Sequence, residues 1–134
     1  VTDIDIGLTH VALPVTDLDV SIEFYATYAK MAVVHRRPQV VWLSDSTRPF
    51  AIVLIESEDV AFPIVPFAHL GVACASRDEI DELTDRARDE NCLIAGPLDY
   101  GPPVGYWAFI RDPDGHTLEV SFGQEVGLTI ESAG

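Results

Sequence analysis

Three side chains are of the types that share one metal ion: His10, His69 and Glu119. Each histidine opens an apolar run, Thr9-His10-Val11-Ala12-Leu13 and Ala68-His69-Leu70-Gly71-Val72, and the two runs lie 59 residues apart. Side chains alternate between faces of an extended chain, so His10 shares a face with Leu8 and Ala12, and His69 shares one with Phe67, Gly71 and Ala73. The opposite faces, Val11 and Leu13 in one run and Leu70, Val72 and Cys74 in the other, read as core. A lone strand histidine is most often a hydrogen-bonded structural residue, but two at matching positions of a duplicated unit are expected to converge. Glu119 is expected on an inward face, where a carboxylate is costly unless it is paired, solvated or bound to a cation. Two imidazoles and one carboxylate with open positions suit Fe(II), and the same set takes Mn, Ni or Zn.

The hairpin that carries Glu119 can be registered by counting. In Asp112-Pro113-Asp114-Gly115 the proline presets the second position of a type I turn and the glycine supplies the left-handed residue after it. The resulting three-residue loop pairs Asp112 with His116, and then Arg111 with Thr117, Ile110 with Leu118, Phe109 with Glu119, Ala108 with Val120 and Trp107 with Ser121. One face is apolar: Ala108, Ile110, Leu118, Val120 and Phe122. The other carries Trp107, Phe109, Arg111, Thr117, Glu119 and Ser121. Trp107 and Phe109, with Trp42 from an earlier strand, suggest contact with a partly aromatic, uncharged small molecule, and Arg111 is the further substrate-binding candidate, as a cationic anchor. The loop Leu98-Asp99-Tyr100-Gly101-Pro102-Pro103-Val104-Gly105 leads into this face and reads as a rim, with Tyr100 as its proton-handling candidate. His35, beside Arg36-Arg37, and His116, closing the hairpin, read as surface residues.

The elements that hold these residues occur twice. Leu18, Ile22, Tyr25 and Ala29 fall at helical spacing after the first histidine run, and Ile80, Leu83 and Ala87 do so after the second. Three short apolar, β-branched runs follow each helix: Ala32 to His35, Val40 to Leu43 and Phe50 to Ile55, then Cys92 to Ala95, Tyr106 to Ile110 and Thr117 to Phe122. The fold class is α+β. Two β-α-β-β-β modules, about 7–56 and 68–123, are expected to pair into an open eight-stranded, barrel-like sheet with helices outside, joined by a Pro-broken linker at about 57–67 and followed by a tail at 124–134.

Composition narrows the partners. The 134 residues suit one domain; 48% are hydrophobic and 22% charged, so disordered and low-complexity classes fall away. Eight Lys+Arg against 22 Asp+Glu give a formal net charge of −14, which repels nucleic acid and anionic membranes. The acidic run from Ser76 to Asn91 reads as the solvated side of an amphipathic helix. No signal peptide or transmembrane helix is expected after the acidic Val1-Thr2-Asp3-Ile4-Asp5, and two cysteines, Cys74 and Cys92, read as packing residues in a reducing cytoplasm.

With the paired modules, the strand-opening histidines and the segment Arg111-Asp112-Pro113-Asp114-Gly115-His116-Thr117-Leu118-Glu119, residues 7 to 123 resemble the vicinal oxygen chelate superfamily of glyoxalases, bleomycin-resistance proteins, fosfomycin-resistance enzymes and extradiol dioxygenases. The resemblance implies that His10, His69 and Glu119 are metal ligands, that the metal holds a substrate through two adjacent oxygens, and that the chain forms a homodimer. It also implies, for glyoxalase-type members, a fourth ligand from the last strand of the first module. The position matching Glu119 falls near Ala51 to Val53, which are apolar, leaving Glu56 at the strand end as the candidate.

A three-ligand site resembles extradiol dioxygenases and fosfomycin-resistance thiol transferases. The former commonly place a Tyr where this chain has Phe109, and the latter surround a phosphonate with basic residues, which Gly123-Gln124-Glu125-Val126-Gly127 does not offer. The reading is a divalent-metal enzyme, Fe(II) first, with dioxygenase-like chemistry slightly ahead of a glyoxalase-like lyase. The alternative is a metal-free binding protein of the bleomycin-resistance kind.

Overall fold

The structure, a computed structural model, describes residues 5–134; Val1 to Ile4, on which part of the N-terminal expectation falls, lie outside the described residues. The chain divides into two compact units between Pro63 and Ile64, inside the expected linker. The first contains β1 (His10–Val15), α1 (Leu18–Ala29), β2 (Ala32–Arg37), β3 (Val40–Ser44) and β4 (Ala51–Glu56). The second contains β5 (Leu70–Ala73), α2 (Arg77–Asp89), β6 (Leu93–Asp99), β7 (Tyr106–Arg111), β8 (Thr117–Phe122) and α3 (Val126–Ala133).

Each unit forms one four-stranded mixed sheet, ordered β1-β4-β3-β2 in the first and β5-β8-β7-β6 in the second. In both, the histidine-led strand runs parallel to the last strand while the other pairs are antiparallel. The helices obey their local signals. Asp17 caps α1 by accepting from the Val20 amide at 3.2 Å, and Ser76 caps α2 by accepting from the Glu79 amide at 3.1 Å. α2 buries Ile80, Thr84 and Ala87 against its sheet and exposes Asp78, Asp81, Glu82, Asp85 and Asp89, so its charge lies on the outer side of an amphipathic helix. On the helix side of the second sheet Ala108, Ile110, Leu118 and Val120 are fully buried, as are Val15, Val41 and Leu54 in the first unit. Cys74 and Cys92 form no disulfide.

Three segments depart from expectation. The strand begun at Leu93 continues through Gly96-Pro97 to Asp99, with bulges before and after Ala95; it is the edge of its sheet, where the missing proline N–H costs no ladder bond. Leu98 and Asp99 are therefore strand and not rim. The tail is not featureless, because Val126–Ala133 is helical. His116 is not a surface residue: it is 1% exposed, and its Nδ1 accepts the Ile64 amide at 3.1 Å because the segment entering the second unit folds over the β7–β8 turn. No helix among the described residues is long and apolar enough to cross a membrane.

Candidate metal and ligand site

The β7–β8 register pairs Phe109 with Glu119 and Trp107 with Ser121, and Asp112 donates its N–H to the His116 carbonyl at 2.8 Å. Across the parallel ladder Gly71 of β5 is the partner of Glu119. Alternation then sets Gly71, Trp107, Phe109, Thr117 and Glu119 on the face turned away from α2. His69, immediately before β5, joins them, with its ring 4.9 Å from that of Phe109.

Glu119 is only 7% exposed. Its Oε1 accepts from Gln124 Nε2 at 3.3 Å, and a Cβ at Gly71 would stand 3.4 Å from Oε1, in ordinary van der Waals contact. The His69 Nδ1 lies 2.7 Å from the Phe67 carbonyl oxygen. A carbonyl only accepts, so the Nδ1 carries the proton, and Nε2 is the nitrogen left to offer a lone pair to a metal. That tautomer is the one a metal-ligating imidazole uses when a backbone carbonyl fixes it from behind.

Aromatic rings continue from His69 along the same face. Phe109 and Trp107 lie 4.7 Å apart, and Tyr100 meets Trp107 edge-on at 5.4 Å. Tyr100 is 65% exposed, at the outer end of the row. Trp107 is 8% exposed, and among the described residues its indole N–H has no acceptor and the buried Thr117 hydroxyl has no partner. Both polar groups belong to the face that carries Glu119. Arg111 is engaged elsewhere, donating to the Asn91 carbonyl at 2.7 Å.

In the first unit His10 pairs with Ala51 and its Nδ1 is 2.9 Å from the Thr9 hydroxyl. Trp42 pairs with Val53 as Phe109 does with Glu119, and the His35 ring packs 4.9 Å from Trp42. Val53 thus occupies the position that Glu119 has in the second unit. Glu56 does not join His10: it alternates with Ile52 and Leu54 and pairs with the buried Val15, on the α1 side of the sheet. It lines a cavity of about 430 Å³ with Asp17, Asp19, Arg36, Arg37 and Gln39. The parity of β4 therefore removes the expected fourth ligand from the His10 face. Among the described residues no three His, Cys, Asp or Glu side chains gather as one metal site, so neither unit by itself holds a full ligand set.

Gln124 is a residue that sequence reasoning does not single out. Its only signal is an amide side chain shortly after the candidate ligand Glu119.

Two sheets of this permuted order, each led by a histidine strand, define a protein class. The chain belongs to the Glyoxalase/Bleomycin resistance protein/Dioxygenase superfamily, whose pattern it matches over residues 7–120. This superfamily comprises metal-dependent glyoxalases, dioxygenases and fosfomycin-resistance enzymes. The chain is 39% identical to the uncharacterized protein PA2024 of Pseudomonas aeruginosa over 127 residues, 90% of this chain and 91% of that one. A possible glyoxalase from Bacillus cereus has the same fold, with a TM-score of 0.70 and 22% identity over 87% of this chain and 99% of that one. So does a fosfomycin resistance protein, FosX, from Listeria monocytogenes, with a TM-score of 0.73 and 17% identity over 98% of this chain and 100% of that one. That FosX structure holds Mn(II) and 1S,2S-dihydroxypropylphosphonic acid.

Proposed function

We propose that this chain is a divalent-metal enzyme acting on a small aromatic molecule held through two adjacent oxygens, with His10, His69 and Glu119 as the metal ligands. One observation carries the reading: on a single sheet face, a buried carboxylate accompanies an imidazole whose Nδ1 is committed to a carbonyl, leaving Nε2 as a donor. The donor chemistry, two neutral imidazoles and one carboxylate, fits Fe(II) first and also Mn, Ni or Zn. When bound, the ion supplies Lewis acidity and a template for the two oxygens, and Fe(II) adds redox capacity.

The protein's own groups do the rest. Phe109 and Trp107 offer a flat apolar wall for an aromatic ring. Tyr100, exposed at the outer end of the row, is the proposed proton-handling group. Trp42 presents a second aromatic surface on the His10 face of the first unit.

Oxygen-dependent chemistry is favoured over glyoxalase-type proton transfer because Val53 replaces the second carboxylate that could serve as base, and Glu56 faces α1. A phosphonate substrate is disfavoured because Arg111 is engaged with Asn91. The test is anaerobic reconstitution with Fe(II), followed by parallel assays with catechols and hemithioacetals. Oxygen uptake with catechols alone is expected. Product from hemithioacetals alone would move the chain to the lyases, and a chain that takes up no divalent ion but binds aromatic ligands would be a binding protein. The compartment proposed is the cytoplasm, with no nucleic acid or membrane partner.

A further inference from the structure

The Glu119 carboxylate is held asymmetrically. Oε1 accepts from Gln124 Nε2 at 3.3 Å and lies close against Gly71, whereas no donor among the described residues reaches Oε2. The amide comes from the segment beyond β8, where Gly123, at φ +79°, turns the chain so that a side chain five positions on can reach back. That segment is itself fastened, because the Glu125 amide donates to the Pro103 carbonyl at 2.9 Å, in the loop that begins at Tyr100.

We propose that Gln124 is a positioning residue for the metal site: its amide ties one oxygen of Glu119 back and so selects the other as the oxygen offered to the ion. The inference rests on the metal reading above. A carboxylate with both oxygens free can rotate and must be ordered on binding; one held by a neutral donor is already oriented, and its charge is left for the cation.

The test uses the full chain and Mn(II) alone, with free Mn(II) followed by electron paramagnetic resonance. Gln124→Leu keeps the size of the side chain and removes the donor, and it is expected to weaken Mn(II) binding by about 10- to 100-fold with an unchanged circular dichroism spectrum. A second measurement needs no metal. The side-chain NH2 signals of Gln124 in a 15N correlation spectrum are expected to move when Glu119→Ala removes the acceptor. Wild-type affinity in Gln124→Leu, or Gln124 signals unmoved by Glu119→Ala, overturns the proposal. Should the wild-type chain bind no Mn(II), the metal reading fails, and the amide signals alone decide whether Gln124 holds the carboxylate.

Discussion

The imidazole Nδ1 of His116 accepts the backbone N–H of Ile64 at 3.1 Å, tying the first residue of the second unit to the turn that leads into β8 and Glu119. The Thr117 amide completes the tie by donating to the Ile64 carbonyl at 2.8 Å. His116→Ala leaves a buried N–H without its acceptor and a void where a ring was. We expect it to lower stability by about 2–4 kcal/mol. His116→Asn, which keeps an acceptor, should recover part of that loss. Urea unfolding of the three proteins checks the order.

Gly105 precedes β7 with φ +86°, and a Cβ there would stand 2.4 Å from the Phe122 carbonyl oxygen. Backbone on both sides leaves no flexible atom to give way. Gly105→Ala is therefore expected to cost more than about 2 kcal/mol. Gly101, also at positive φ but with no atom within 4 Å of where a methyl would stand, should tolerate alanine better. Thermal midpoints of the pair separate crowding from backbone strain.

How much of this is legible in the sequence differs by residue. The β7–β8 register is legible because Asp112-Pro113-Asp114-Gly115 admits one common loop, and every pair then follows by counting. The strand past Ala95 is hidden because Gly96-Pro97 is a break everywhere except at an edge. α3 is hidden because Val126, Gly127, Thr129 and Ile130 are weak helix formers. For Glu56, nearness to the strand end suggests a ligand, but its parity with Ile52 and Leu54 decides which face it takes. The burial of His116 and the reach of Gln124 are tertiary contacts made by irregular segments, which leave no periodicity to read.

Acid and alkaline stability should depend on one exposed cluster. The Asp99 carboxyl is held below its ordinary value of 3.8, chiefly by the Gly101 amide and then by the Arg77 guanidinium 2.7 Å away. A depressed folded value contributes stability above pH 3.8 that is lost as pH falls through the folded value. Tyr106 is held above its ordinary 10.0, first by its hydrogen bond to Asp81 and then by desolvation. Its contribution is complete below pH 10.0 and is lost as pH rises through the folded value. Asp99→Asn should flatten the acid limb and Tyr106→Phe the alkaline limb of a stability–pH profile measured by urea unfolding.

The three proposed ligands should behave as one set. His10→Ala, His69→Ala and Glu119→Ala are each expected to lower Mn(II) affinity by more than about 100-fold, above the range for a supporting residue such as Gln124. Glu56→Ala should leave it unchanged, because that side chain faces α1. Calorimetric titration of the four variants against wild type is the measurement. A large loss in Glu56→Ala would return the fourth carboxylate to the site.

Trp107 sets stability against binding. Its indole N–H is buried with no acceptor among the described residues, which costs about 1–3 kcal/mol. Trp107→Phe removes that donor and also some apolar area, so the two effects oppose each other and the net change in stability should stay within about 1 kcal/mol. Binding has no such offset. A ligand ring that packs on the indole loses contact area when the side chain becomes a phenyl, and the affinity for a catechol should fall by about 10-fold, the equivalent of roughly 1.4 kcal/mol. Measuring both quantities on the same variant distinguishes the roles: a stability loss with unchanged catechol affinity would make Trp107 a packing residue, whereas the reverse sets the indole ring against the ligand.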